Sequence, residues 1–96
     1  MNAFITINVV IKNPEKFVDY MQKASATLAP YGAKPVAKGK FAGSVSGSSS
    51  EHQMAATVTF PDMESIDAWY NSDEYQALIP LRDEAADIII TKYSAA

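Results

Sequence analysis

The side chains best suited to hold a small molecule fall in one stretch, FPDMESIDAWYNSDEY, from Phe60 to Tyr75. It contains the only tryptophan, Trp69, together with Tyr70 and Tyr75. Aromatic rings offer flat apolar contact and a tyrosine hydroxyl adds a hydrogen-bonding handle, so Trp69 and Tyr70 are candidates to line a pocket for a flat apolar ligand. Packing of a helix on a sheet is the commoner use of such residues. Tyr75 and Arg82 are seven residues apart, which places them on one face of a continuous helix. The Arg82 guanidinium suits an anionic ligand or an acid across a subunit boundary, and the ion pair is the expected use. Asn8, Lys38, Thr6, Thr57 and Thr59 are polar positions on predicted strands. Asn8 and Lys38 join the candidates if their face lines a cavity, and alternation alone leaves open whether that face meets the helices or a partner. His52, the only histidine, follows Glu51 in a Ser-rich segment. A general base is one reading; a solvated loop residue is the expected one.

Other chemistries are poorly supplied. The chain has no cysteine, which excludes disulfides, thiolate metal sites and cysteine nucleophiles. With one histidine and no cysteine a metal site is not expected. Asp62, Glu64, Asp67, Asp73, Glu74, Asp83 and Glu84 read as helix-start charge and solvated surface, not as a catalytic carboxylate pair. No phosphate-cradling glycine loop or nucleophile elbow is present.

The elements that must position these residues are legible. Ala3 to Ile11 alternates Ile5, Ile7, Val9 and Ile11 against Phe4, Thr6, Asn8 and Val10, the pattern of a central strand. Asn13-Pro14-Glu15 opens a helix with the stripe Phe17, Tyr20, Met21, Ala24 and Leu28, which Pro30 and Gly32 end. Lys34 to Phe41 reads as a second strand, with Pro35 pointing to an edge or first position. Ala42 to Gln53, rich in Gly and Ser, reads as a hairpin connection with a mobile tip. Met54 to Phe60 is a third strand. Asp62 caps a helix through Tyr70, and Ser72 caps another through Arg82 that Pro80 bends or breaks. Ile88 to Tyr93 is a fourth strand. The order β-α-β-β-α-β predicts an α+β, ferredoxin-like sandwich with an antiparallel four-stranded sheet.

At 96 residues the chain is expected to be one domain, 1–96, with a modest core. Apolar residues reach 48%, too many for a disordered chain. Net charge is −3, with eight Lys and Arg spread thinly, so nucleic acid is not an expected partner. No apolar run is long enough to cross a bilayer, and no basic segment followed by an apolar core opens the chain; a cytoplasmic location is expected.

Two helices cover one sheet face only. The other would be polar in a monomer, yet Phe4 and Val10 point away from the Ile5 side, and Ile88, Ile89 and Ile90 must point both ways. An exposed patch of several hundred Å² exceeds what monomers usually carry. A homodimer with its sheets packed face to face, burying an isoleucine-rich surface, is therefore expected.

Phe60-Pro61, Trp69-Tyr70, Ser72, Glu74-Tyr75 and Arg82, preceded by Asn13-Pro14-Glu15, Phe17, Tyr31-Gly32 and Lys38-Gly39, resemble the signature of the domain of unknown function 1330 family over nearly the whole chain. Lys38 stands where an Arg is common there, and Asn8 where an acid is frequent. The resemblance implies a dimeric α+β barrel, in a superfamily that includes cofactor-free monooxygenases, haem-degrading enzymes, lactone isomerases and dehydratases. Haem degraders of that kind use a helical His with an Asn and a Trp. Asn8 and Trp69 match two of these, but no His follows Trp69, which argues against haem. The expectation is a cofactor-free dimer, with a cavity near Asn8, Lys38, Trp69, Tyr70, Tyr75 and Arg82 that takes a small apolar, aromatic or lactone-like compound. The competing expectation is a non-catalytic module whose cavity its own side chains fill.

Overall fold

The computed structural model describes residues 1–48 and 52–96. The expected tip of the hairpin connection at residues 49–51 lies outside the described residues. The elements are β1 (Ala3–Ile11), α1 (Pro14–Ala26), β2 (Lys34–Lys40), β3 (Met54–Phe60), α2 (Met63–Tyr70), α3 (Asp73–Gln76), α4 (Ile79–Ala85) and β4 (Ala86–Ser94). They build an antiparallel sheet in the order β2-β3-β1-β4, with helices on one face. This is the ferredoxin-like arrangement: β1 and β2 run parallel and β3 sits between them, which only a split crossover through α1 permits.

Local chemistry accounts for the boundaries. The Asn13 side chain accepts from the Lys16 N–H at 3.1 Å, and Pro14 occupies the first turn, where its missing N–H costs nothing. The helix ends at Ala26, earlier than the apolar stripe implies, because the Thr27 hydroxyl and N–H both bond the Ala24 carbonyl. A 3-10 turn at Ala29–Tyr31 follows and closes on Gly32, with φ at 69°. A Cβ at Gly32 would lie 2.8 Å from Pro61 Cγ, so both backbone angle and space call for glycine. Asp62 caps α2 through the Ser65 N–H at 2.7 Å. Ser72 caps α3 through the Tyr75 N–H at 3.2 Å. Pro80 breaks the chain here rather than bending one helix: α3 stops at Gln76 and α4 starts at Ile79 with the proline in its first turn. Pro35 lies on the edge strand, just before a bulge at Val36.

Register assigns the faces. Ile5 lies between Val58 and Lys92, Ile7 between Ala56 and Ile90, and Val9 between Met54 and Ile88. These residues meet Phe17, Tyr20, Leu28, Ile66, Trp69 and Tyr75 from the helices in the core. Phe4, Thr6, Asn8 and Val10 take the opposite face with Thr57, Thr59, Ile89, Thr91 and Tyr93. Here the structure corrects one expectation. Of the strand isoleucines only Ile89 is on the uncovered face, 64% exposed, while Ile88 and Ile90 turn to the helices. The uncovered face is apolar through Phe4, which stacks on Tyr93 with ring centroids 5.0 Å apart, and through Val10 and Ile89. It is rich in threonine, not isoleucine.

Candidate functional site

Between α1 and the edge of the sheet formed by β2 and β3 lies a cavity of about 660 Å³. Its floor is the apolar helix-side face of the sheet, including Ile5, Ile7, Ala56 and Ile90, with Trp69 at one end. Val18, Gln22 and Ser25 of α1 and Pro35, Ala37 and Lys38 of β2 line it and are exposed, so the mouth opens between that helix and that strand. Lys38 is there because register puts it opposite Ala56, on the helix side of the sheet. Among the described residues it is the only charged side chain of the lining.

A second cavity of about 300 Å³ lies beyond Trp69 and is lined by Tyr70, Arg82, Asp67 and Lys92. Trp69 borders both. Its indole N–H donates to the Thr27 hydroxyl at 2.8 Å, so Trp69 offers a ligand its ring face and not its N–H.

Behind Trp69 runs a chain of buried polar groups. Tyr75 is wholly buried, its ring centroid 4.5 Å from that of Trp69. Its hydroxyl is 2.7 Å from the Tyr20 hydroxyl. The Arg82 Nη1 donates to Tyr75 at 3.3 Å and to Tyr70 at 3.2 Å. Arginine has donors only, so the Tyr75 oxygen accepts from Arg82, and between the Tyr75 and Tyr20 hydroxyls either can donate. Burial, reinforced by the adjacent Tyr75 hydroxyl, pushes the Tyr20 phenol well above the usual tyrosine range. For Arg82, burial works against the charge, but the hydrogen bonds to Tyr70 and Tyr75 outweigh it and hold the guanidinium protonated. Arg82 Nε also meets Asp83 at 3.3 Å.

The sequence candidates are thus partitioned. Lys38 and Trp69 border the larger cavity; Trp69, Tyr70 and Arg82 border the smaller. Tyr75 is enclosed between them with no exposed surface. Tyr75 and Arg82 do meet, but from separate helices α3 and α4 and not along one helical face. Asn8 lies outside both cavities, on the uncovered face of the sheet opposite Ala55 and Ile89. His52 is half-buried, its ring 4.8 Å from that of Phe41. Sequence reasoning passed over Tyr20 because a helical stripe reads as core, and over Gln22 and Ser25 because they fall outside that stripe; only the cavity beneath α1 shows that all three face a void. Among the described residues no three His, Asp or Glu side chains converge as metal ligands would.

The split crossover and the single-faced helical layer define a ferredoxin-like α+β protein, with a cavity beneath α1 that opens at the sheet edge. The chain belongs to the family described as Domain of unknown function (DUF1330), which matches residues 2–93. No curated protein sequence matches it. Among solved structures it is similar to a protein of unknown function from Rhodopseudomonas palustris, at 15% identity and TM-score 0.81, with 98% of this chain and 82% of that one covered. It is also similar to a dimeric ferredoxin-like protein of unknown function from Thermobifida fusca, at 11% identity and TM-score 0.67, with 99% and 92% covered. A third is SnoaB, a cofactor-independent oxygenase from Streptomyces nogalater, at 7% identity and TM-score 0.67, with 100% and 95% covered. At these identities the likeness is one of fold.

Proposed function

We propose that this protein is a cytoplasmic homodimer in which each subunit binds a small apolar or aromatic compound in the cavity between α1 and β2. The observation that carries the reading is a void of about 660 Å³, within the range typical of small-molecule sites. The ligand's body would rest on Ile7, Ala56 and Ile90 and on the ring of Trp69. No cofactor is part of the proposal. The dimer is supported by the uncovered Phe4, Ile89 and Tyr93 surface and by the dimeric relative from Thermobifida fusca.

Catalysis is the second reading. The shared fold with a cofactor-independent oxygenase favours it. The lining weighs for binding instead, because among the described residues Lys38 and Tyr20 are its only ionisable side chains and the Tyr20 hydroxyl is already bonded to Tyr75.

Trp69 makes the test direct. Decan-1-ol should change the intrinsic tryptophan fluorescence saturably in the wild-type protein. Ala56→Phe, which fills the cavity floor, should abolish the change while the circular dichroism spectrum persists. Equal response in both proteins would place the ligand elsewhere and overturn the reading.

A further inference from the structure

Of the eight Lys and Arg side chains, Lys12, Lys16, Lys23, Arg82 and Lys92 each pair with an acid. Lys34, Lys38 and Lys40 make no ion pair among the described residues, and all lie on β2. The protein as a whole is acidic, with net charge −3, so this uncompensated positive strip is local. Register splits it. Lys34 lies opposite Thr59, on the uncovered face, whereas Lys38 and Lys40 lie opposite Ala56 and Met54, on the side of the cavity. Lysines on an edge strand also discourage edge-to-edge pairing, but that role needs no particular face and no adjoining void. Among the described residues no acidic side chain lines the cavity.

From this juxtaposition we infer that the cavity selects an amphipathic anion: a compound with an apolar body and a terminal carboxylate, its body under α1 and its carboxylate on Lys38 at the mouth, with Lys40 adding to the field. The inference rests on the proposed binding function and names the ligand class. Burial of the apolar part supplies most of the affinity. The exposed ammonium supplies selectivity, of the size expected for a solvated ion pair.

The test compares decanoate, below its micelle concentration, with decan-1-ol by Trp69 fluorescence. Wild type should prefer decanoate by roughly fivefold. Lys38→Gln should reduce that preference to about one without weakening decan-1-ol, and Lys34→Gln should leave it intact. Added salt should compress the preference in the wild-type protein, a readout that needs no variant. Equal affinity for the two probes, or a preference that survives Lys38→Gln or added salt, overturns the anion assignment and leaves the cavity reading standing. Failure of both probes to bind overturns both.

Discussion

Tyr20 shows how one hydroxyl couples packing to solution behaviour. Its phenol is held neutral by burial and by Tyr75. Below the usual tyrosine pKa of 10.0, folded and unfolded chains both carry it protonated, and the stability it contributes is fully present. Above that value the unfolded chain ionises first, so stability falls as pH rises. Urea midpoints should therefore drop above about pH 10, and phenolate absorbance should show Tyr20 ionising only as the chain unfolds. Tyr75→Phe removes the partner of Tyr20 and one acceptor of Arg82. It should cost about 1–3 kcal/mol, because buried polar groups lose their bonds. Tyr20→Phe/Tyr75→Phe together should cost less than the two single changes added, since they share one bond. Strict additivity in thermal melts would show that the two hydroxyls act independently.

At the scale of elements, the caps and the one strained turn decide where helices begin and end. Gly32 combines a left-handed backbone with a site where an added Cβ would lie 2.8 Å from Pro61 Cγ. Gly32→Ala should destabilise by at least about 1–2 kcal/mol from backbone strain alone, a loss chemical denaturation would reveal. The Asp62 carboxylate, held below the usual range by the Ser65 hydroxyl and N–H, contributes stability above the ordinary carboxylate pKa and loses it as pH falls through its own lowered value. Asp62→Asn should retain most of the capping and Asp62→Ala should not. Melting temperatures measured at neutral and acid pH should show Asp62→Asn converging on wild type as acid removes the charge, while the deficit of Asp62→Ala narrows but persists.

At the scale of the whole molecule, the sheet has one face under the helices and one face open. Phe4 and Tyr93 stack there, and Ile89 is exposed on the same face. A dimer joined through this face would bury them at roughly 25 cal/mol per Å² before association costs. Ile89→Asp would set a charge on that face. Sedimentation should then report monomers for the variant and dimers for wild type, while the fold persists, because Ile89 takes no part in the helix-side core. A monomeric wild type would remove the dimer from the proposal. Because Asn8 lies on this same face, any role for it belongs to that face and not to the cavity.

The residue pattern by itself determined the local structure. Alternation in Ala3–Ile11 and Met54–Phe60, the caps Asn13, Asp62 and Ser72, and the stop at Gly32 all act within a few residues, so they are written in the chain. The family was also legible, because Phe60-Pro61 through Arg82 forms a contiguous signature. Only the tertiary structure decided which strand face meets the helices, since alternation has no absolute sense until register is fixed. That choice moved Asn8 away from the cavity, sent Ile88 and Ile90 inward and left Ile89 alone outside. The void beneath α1 was equally invisible, because a gap between a helix and an edge strand depends on how far apart their backbones settle, and no single stretch of sequence encodes that distance.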